Sequence, residues 1–342
     1  MKKILIILVA VILLCGLSAP APAQQPIKLK FAHNYPPPTA LGKAHTNWAQ
    51  KIMKDTNGRV EITVFGAGSL INKPEEFYDA TVGGVTDMAY GQLNQAMEHF
   101  ALDTALPLAG LDWPQPWPNV NVRMRVYNEL RQKFPIMQEK QKDIVVLYDV
   151  TMAPSIFHSP KKIVRTPNDI KGLRVAATGW QVTLADVLGA KPAGIPGPDR
   201  YLALERGVID GSWDLYAGMF AMKIYEVTNN FLEADFGDSS GIAIMNRDKF
   251  NSLPPDIQKI FLDNREFAQQ DWLRMAIEET KMGRDAITKR GGNFITLTPE
   301  EIKLWRDALL PLREEWVKKQ EARGLPARAF MDEMLRLIKQ YR

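Results

Sequence analysis

The sequence predicts an α/β protein of two similar lobes, each a mixed, mostly parallel sheet flanked by helices. Strand-like and helix-like segments alternate along residues 27–91, and the same alternation restarts after residue 151. Tyr78–Met88 and Tyr201–Gly211 also share Tyr, Ala, Gly, Val and Asp at an offset of 123 residues. Any two α/β units share such features, so this echo supports two lobes only together with the repeated alternation. A cleft between the lobes would lie at the carboxyl ends of the strands.

The first lobe is predicted from a β-α-β-α-β pattern. A strand at Ile27–Tyr35 precedes a Pro-rich loop and a helix, and a second strand follows at Val60–Gly68. Asn72–Gly84 has proline in its first turn and glycines at its end, which is typical of a helix. A short strand at Asp87–Gly91 completes the pattern, and the apolar Ile144–Val150 adds another strand.

The second lobe is predicted from the segments after residue 151. "PSIFHS", "IKGLRVAATG", "KPAGIP" and "DGSWDLY" are strand-like, and helices are expected near Gln181–Leu188 and at Pro198–Gly207. From about Pro254 the chain is helical and ends in two amphipathic segments. The predicted division assigns residues 24–150 and about 237–278 to lobe I. Residues 151–236 and about 279–342 form lobe II and the bracing C-terminal helices.

Residues 1–23 are predicted to be a cleavable signal peptide. Lys2 and Lys3 precede the apolar run Ile4–Leu17, and Ala21-Pro22-Ala23 supplies the small residues of a cleavage site. Cleavage before Gln24 would leave 319 residues with 41 basic and 39 acidic side chains. This near balance argues against nucleic acid or a polyanion as partner. The leader indicates the periplasm.

The single cysteine, Cys15, lies in this leader. Lipidation of Cys15 is the less favoured alternative, because Leu14 stands where a small residue is expected. Without the leader the chain has no cysteine, which excludes disulfides, a thiol nucleophile and cysteine metal sites.

Motifs for catalysis and metal binding are weak. Gly237–Gly241, "GDSSG", matches G-x-S-x-G, but a strand-like run follows Ser239 where a helix is required. All four histidines precede it, contrary to the order of that hydrolase class, and their spacing fits no metal motif. The segment is better interpreted as a turn between lobes with hinge glycines. No phosphate-binding glycine motif occurs, so we expect no cofactor.

Aromatic side chains mark a candidate cleft. Trp180, Trp213 and Tyr216 follow strand ends of the second half, where they could face a ligand. Trp113 and Trp117, in a Pro-rich loop, are weaker candidates. Four further tryptophans sit in helical patterns and are expected to pack in the core, namely Trp48, Trp272, Trp305 and Trp316.

Several separate motifs, in order along nearly the whole mature chain, resemble one family. They are "LKFAHNYPPPTALGKAHTNWAQKI", "GAGSLINKPEEFYDATVGGVTDMAYG", "DIKGLRVAATGWQVTLADVLGAKPAGIPGPDRYLALERGVIDGSWDLY" and "NRDKFNSLPPDIQKIF". The sequence resembles the solute-binding subunit of tripartite ATP-independent periplasmic (TRAP) transporters, the DctP-like group.

The resemblance implies a type II-like periplasmic binding-protein fold with hinge strands and a long bracing C-terminal helix. It implies no enzyme activity and no cofactor, but capture of a small organic solute, usually an organic acid, for a small and a large membrane permease subunit. The predicted ligand-binding residues are Trp180, Trp213, Asp214, Ala176, Tyr216, Asn34, Tyr35, Tyr90, Phe157 and Arg174.

Two positions depart from the family pattern. The family usually has an arginine four residues after the glycine that corresponds to Gly172, where it binds the ligand carboxylate, but this chain has Ala176. The family often has an asparagine where this chain has Asp214. A carboxylate ligand facing Asp214 without an arginine would be buried without a partner. The sequence therefore favours an amine, a polyol or a neutral aromatic ligand, with Asp214 and the tryptophans forming the site.

Alternatives stay open. A carboxylate could be held by another cation, such as Lys43, Arg200 or Arg174, and Asp214 could be a surface residue or a helix cap. The chain could also serve a receptor as a ligand sensor. An enzyme on this scaffold would need a catalytic pair in the cleft, which the sequence does not offer.

Overall fold

A computed structural model of the chain describes residues 25–37, 39–93, 98–111, 120–139, 141–151, 155–178, 180–234, 236–237 and 240–341. The predicted signal peptide with Cys15, the loop residues Trp113 and Trp117, and Ser239 lie outside these residues. Within the described ranges, no helix is both long enough and apolar enough to cross a bilayer.

Strands and helices alternate through most of the described chain. The strands are β1 (Ile27–Ala32), β2 (Val60–Phe65), β3 (Met88–Gln92), β4 (Ile144–Val150), β5 (Ile156–Ser159), β6 (Arg174–Ala176), β7 (Lys191–Ala193), β8 (Gly211–Asp214), β9 (Asn230–Leu232), β10 (Gly241–Asn246) and β11 (Asn293–Ile295). The helices are α1 (Ala40–Asp55), α2 (Phe77–Val82), α3 (Val120–Lys133), α4 (Ile136–Glu139), α5 (Pro167–Ile170), α6 (Trp180–Val187), α7 (Arg200–Glu205), α8 (Tyr216–Ala221), α9 (Arg247–Asn251), α10 (Pro255–Asp263), α11 (Arg265–Lys289), α12 (Pro299–Glu321) and α13 (Ala327–Tyr341).

The first lobe is built on a five-stranded sheet in the order β2-β1-β3-β10-β4. β1 is parallel to β2 and β3, whereas β10 is antiparallel to both of its neighbours. In β1, Leu29 and Phe31 are buried while Lys28 and Lys30 are exposed, which is the period-2 alternation of a strand with one buried face. The order places β10, which comes late in the sequence, in the interior of the first sheet.

The second lobe is built on a six-stranded sheet in the order β11-β9-β5-β8-β6-β7. β6 is parallel to β7 and β8, while β5 is antiparallel to β8 and β9. The two sheets with their flanking helices confirm the predicted two-lobed α/β fold. The chain passes between the lobes from β4 to β5 and back from β9 to β10.

The internal echo in the sequence corresponds to a structural repeat. α2, Gly84 and β3 in one lobe match α7, Gly207 and β8 in the other, and both glycines have positive φ at the helix end. The repeat extends to the shared aspartate. The Asp87 carboxylate accepts the backbone N–H of Lys30 in β1 at 2.7 Å, and Asp210 accepts that of Arg174 in β6 at 2.9 Å.

Helices cover both faces of each sheet. α1 begins at Thr39, whose hydroxyl accepts the backbone N–H of Gly42, and it buries Ala44, Trp48 and Ile52 at helical spacing on the first sheet. Trp48 is fully buried. Full burial of large apolar side chains contributes roughly 1.5–3 kcal/mol each.

Two long helices belong to the cores of both lobes. α11 packs Trp272 in the first-lobe core and Ile287 in the second, and it spans about 37 Å at the usual rise per residue. α12 packs Leu309 in the second-lobe core and Trp316 in the first. All four tryptophans expected to pack in the core are buried.

The last helix packs on the first lobe. The predicted division groups α13 with lobe II and the bracing C-terminal helices, and in the structure its apolar face packs in the core of the first lobe. The buried residues of this face are Phe330, Met331, Met334, Leu337 and Ile338. The remaining boundaries of the division stay a prediction.

Candidate functional site

The carboxyl ends of β6, β7 and β8 lie side by side in the second lobe, and one arginine crosses them. Arg200 donates from Nη1 to the carbonyl of Trp213 at 3.1 Å and to Asp214 Oδ1 at 2.5 Å. Its Nη2 donates to Gln181 Oε1 at 3.2 Å, and its Nε donates to the carbonyl of Ile195 at 3.3 Å. Because Ile195 follows β7 and Asp214 ends β8, the guanidinium lies over the end of β6 between them.

Ala176 ends β6 with a small side chain. This side chain is fully buried and packs in one cluster with Ala203 and Leu204 of α7, the helix that begins at Arg200. The arginine missing from β6 is therefore accompanied by an arginine that reaches the same strand ends from α7.

Asp214 is not the unpaired anion that the sequence suggested. Its carboxylate accepts from Arg200, from His158 Nε2 at 2.9 Å and from Ser212 Oγ at 2.8 Å, and only 8% of the residue is exposed. Burial alone would raise the pKa of Asp214, but the hydrogen bond and charge of His158 and the charge of Arg200 outweigh it and hold the pKa below its usual value. Asp214 is thus an ionised partner of Arg200, which removes the basis for an amine ligand.

The aromatic residues of the second lobe do not form the expected wall around Asp214. Trp213 is fully buried against Phe157, with ring centroids 5.4 Å apart, so both pack in the core. Trp180 is half-buried and lines a separate cavity of about 170 Å³ beside α12. The buried Tyr216 donates its hydroxyl to Glu233, which also pairs with Arg284. The structure thus places these four side chains in separate surroundings, and their part in ligand binding stays a prediction.

Arg174 lies at the opposite end of β6. It forms an exposed pair with Asp210 at 2.8 Å and donates from Nη2 to the carbonyl of Gly207. Lys43, another cation considered from the sequence, is exposed on α1. Of the three alternative cations, only Arg200 is buried at the strand ends, with 5% of the residue exposed.

In the first lobe, neutral aromatic groups collect at the ends of β1 and β3. The ring centroids of Tyr90 and His45 lie 4.3 Å apart, and those of His45 and His33 lie 4.7 Å apart. Tyr35 accepts from Gln92 Nε2 at 2.8 Å, and Asn34 is half-buried beside it in the chain. This cluster of Tyr90, His45, His33, Tyr35 and Gln92 is named the first-lobe ring cluster.

Three polar atoms of the first-lobe ring cluster are buried without a hydrogen-bond partner among the described residues. They are His33 Nε2, His45 Nε2 and the Tyr90 hydroxyl. Burial lowers the pKa of His33 to about 4, against the opposing effect of its backbone hydrogen bond, and burial together with the neighbouring His33 lowers the pKa of His45 well below its usual value. Both imidazoles are therefore neutral at pH 7 and can donate or accept.

The strand ends of the two lobes adjoin. Leu215, the residue after Asp214, packs against the first-lobe core that contains Tyr90, and Gly241 lies directly beneath the Tyr90 hydroxyl. Ala176 and Asp214 thus end strands of the second sheet, with Arg200 across them, and Tyr35 and Tyr90 belong to the first-lobe ring cluster. The role of these residues in binding stays a prediction.

Sequence reasoning missed the histidines and Gln92 and treated Arg200 only as one of three alternatives. His33 and Gln92 stand where β1 and β3 end, so their positions carried a usable signal. No local sequence signal marked His45 and His158, because they lie within a helix and a strand that pack against residues distant in sequence. Among the described residues, no three His, Cys, Asp or Glu side chains are grouped closely enough to hold a metal ion.

Comparison with known proteins places the chain among bacterial solute receptors. It is 26% identical over 91% of its length to the C4-dicarboxylate-binding periplasmic protein DctP of Rhodobacter capsulatus, covering 92% of that protein. A TRAP periplasmic solute-binding protein from Desulfovibrio salexigens has the same fold, with a TM-score of 0.82 and 24% identity over 92% of this chain and 96% of that one.

A second solved structure, a TRAP solute-binding protein from Rhodoferax ferrireducens in complex with copurified benzoate, gives a TM-score of 0.78. It is 24% identical, over 92% of this chain and 98% of that one. The family model of DctP, described as bacterial extracellular solute-binding protein, family 7, matches residues 31–320. The fold, its adjoining strand ends and this match agree with the resemblance found in the sequence, and the chain belongs to the DctP family of bacterial extracellular solute-binding proteins.

Proposed function

We propose that the protein is the periplasmic receptor of a TRAP transporter and that its ligand is a small organic carboxylate with a ring. In this proposal the leader exports the chain, the lobes close on the acid, and the small and large permease subunits receive it. The observation that carries the proposal is the buried Arg200 at the strand ends, together with an Asp214 that already has three partners.

Charge and hydrogen bonding favour an acid over an amine. An amine needs a free acceptor charge, and both oxygens of Asp214 are in use. An acid needs donors, and the junction offers the guanidinium of Arg200, the Tyr90 hydroxyl and two neutral imidazoles.

Ring packing favours an aromatic or cyclic acid. The first-lobe ring cluster presents tyrosine and histidine rings in tilted and edge-to-face arrangements, which suit a flat apolar body. The relatives support the acid class, because the Rhodoferax protein holds benzoate and the Rhodobacter protein is named for C4-dicarboxylates.

Thermal unfolding of the protein, stripped of any retained ligand by unfolding and refolding, tests the ligand class. The panel consists of benzoate, mandelate and succinate, each beside its uncharged amide, with benzylamine and phenol as further probes. A ligand at about 1,000 times its Kd adds about 4 kcal/mol to stability, which raises the melting temperature by several degrees. We expect benzoate or mandelate to stabilise the protein. Stabilisation by benzylamine or phenol alone would contradict the proposal and restore the class first suggested by the sequence.

A further inference from the structure

We infer that Arg200 binds the carboxylate of the ligand, and that Asp214 limits the strength of that contact. The inference rests on the proposed function, since it requires an acidic ligand. Three positions then act as one unit, with the small Ala176 making room, Arg200 supplying the cation and Asp214 supplying its counter-charge.

Arg200 is positioned at the strand ends of the second lobe. Arg200 bridges from the loop after β7 to the end of β8 and so covers the end of β6, the strand between them. Carboxyl ends of strands are where ligands of such sheets bind. Leu215 packs against the first-lobe core directly after Asp214, so the end of β8 adjoins the first lobe.

The number of N–H groups on Arg200 sets how many hydrogen bonds it can offer to a ligand. A guanidinium has five N–H groups. The hydrogen bonds to Ile195, Trp213, Asp214 and Gln181 use four of them, and one N–H on Nη2 is left for a carboxylate oxygen. Arg200 therefore offers one charge-assisted hydrogen bond from a cation whose orientation is already fixed.

Asp214 is the counter-charge of Arg200. Asp214 Oδ1 lies 2.5 Å from Arg200 Nη1, and His158 and Ser212 hold its other oxygen. A ligand carboxylate would meet a guanidinium whose charge is largely balanced by Asp214, and it would be repelled by that carboxylate. Replacing Asp214 by the neutral, nearly isosteric asparagine should leave the cation in place and strengthen binding of an acid.

The test uses the mature full-length chain and calorimetric Kd values for two probes, benzoate and benzamide, which differ in charge but hardly in shape. Asp214→Asn keeps the cation, and the double variant Asp214→Asn/Arg200→Gln removes it without leaving a buried charge unpaired. Arg174→Gln, on the exposed arginine at the other end of β6, is the matched control.

We expect Asp214→Asn to bind benzoate about 3- to 10-fold more tightly than the wild type, and the double variant to bind it about 100-fold more weakly than Asp214→Asn, because a charged hydrogen bond is lost. Benzamide binding and the Arg174→Gln variant should change less than 3-fold. Adding Ala176→Arg to the double variant should restore benzoate binding, because a guanidinium returns to the end of β6.

The outcomes separate the two proposals. If benzoate binds the wild type and the double variant equally, the ligand is an acid but Arg200 does not hold it, and only this inference is overturned. Parallel losses for benzoate and benzamide would show that the Arg200–Asp214 pair is only structural, which also overturns it. If benzylamine binds and no carboxylate probe does, both this inference and the proposed function fail.

Discussion

Two arginine–aspartate pairs lie at opposite ends of the second-lobe sheet. Arg174–Asp210 is an exposed pair, with side chains 49% and 34% exposed, whereas the side chains of Arg200–Asp214 are 6% and 8% exposed. Exposed pairs contribute about 0–1 kcal/mol because water and ions screen them. Removal of one partner from a buried pair leaves an uncompensated charge and costs about 3–5 kcal/mol.

This difference predicts unequal costs for two matching substitutions. Asp214→Ala should lower the free energy of unfolding by about 3–5 kcal/mol, because Arg200 stays buried and charged. Asp210→Ala should lower it by about 1 kcal/mol. Urea unfolding of the two variants and the wild type measures both values. Equal losses would mean that Arg200 gains access to water when Asp214 is removed.

The stability of the protein should depend on pH through Asp149. Burial raises the pKa of Asp149, near the end of β4, to about 6, although Arg265 and Arg131 oppose the shift. Since the folded-state pKa lies above the unfolded value of 3.8, the folded state binds the proton more tightly. The protonated Asp149 carboxyl therefore contributes about 3 kcal/mol to the free energy of unfolding. This contribution is complete below about pH 4 and is lost as the pH rises through 6.

Asp149→Asn removes this titration while the histidines titrate in both proteins. Relative to the variant, the wild type should lose about 3 kcal/mol of unfolding free energy between pH 4 and pH 7.5. Urea unfolding of both proteins at the two pH values gives this difference. A difference that does not change with pH would show that the Asp149 carboxyl keeps its ordinary pKa.

The sequence revealed the arginine missing at position 176 more readily than the arginine that replaces it. The absence of arginine at Ala176 follows from one motif. The replacement by Arg200 does not, because it depends on how α7 packs over β6, and Arg200 stands 24 positions further along the chain than Ala176. The buried partners of Asp214 were hidden for the same reason, since His158 reaches it across paired strands.

Among the elements, the crossing from β9 to β10 combines a backbone requirement with close packing. Gly237 lies on this segment with φ of +81°, and a Cβ there would lie 2.5 Å from the carbonyl oxygen of Pro107. Gly291 has a similar φ of +78° but nothing within 4 Å of such a Cβ. The two glycines therefore separate the cost of the left-handed conformation from the cost of the clash.

Alanine at the two positions should lower the unfolding free energy by different amounts. Gly291→Ala should lower the unfolding free energy by roughly 1–2 kcal/mol through backbone strain alone. Gly237→Ala should lower it by roughly 1–3 kcal/mol more, since the Pro107 loop must move. Melting temperatures of both variants, measured by circular dichroism, check the order. Equal losses would show that this loop yields without cost.

The elements themselves were well predicted where local patterns decide them. β1 and α6 lie within one to three residues of their predicted bounds, because alternation and capping are local signals. Of the two glycines of the predicted turn, Gly237 lies on the crossing between the sheets and Gly241 begins β10. The pairing of β10 between β3 and β4 has no local signal, and neither does the packing of α13 on the first lobe, because both depend on partners about 90 or more residues away.

For the whole molecule, the long helices α11 and α12 tie the two lobes together. Each contributes buried side chains to both cores, and α13 returns to complete the first. Neither lobe can lose its packing without exposing part of the other. We therefore expect both lobes to unfold in one cooperative transition.

Urea unfolding followed by tryptophan fluorescence and by far-ultraviolet circular dichroism checks this expectation. Buried tryptophans in both lobes, including Trp48 and Trp213, make the fluorescence signal sensitive to each core. The two curves should coincide, and calorimetric and van't Hoff enthalpies should agree. Two resolved transitions would show that the lobes are energetically independent.

The interior position of β10 also sets the order in which a growing chain can fold. The first sheet has a gap between β3 and β4 until Gly241–Asn246 has left the ribosome, about 90 residues after β4 ends. At about 5–20 residues per second, that interval lasts roughly 5–20 s. Until then two strand edges stay unpaired, and α13 is still unmade. The first sheet of the nascent protein therefore stays incomplete for that interval, and both lobes are completed only near the end of the chain.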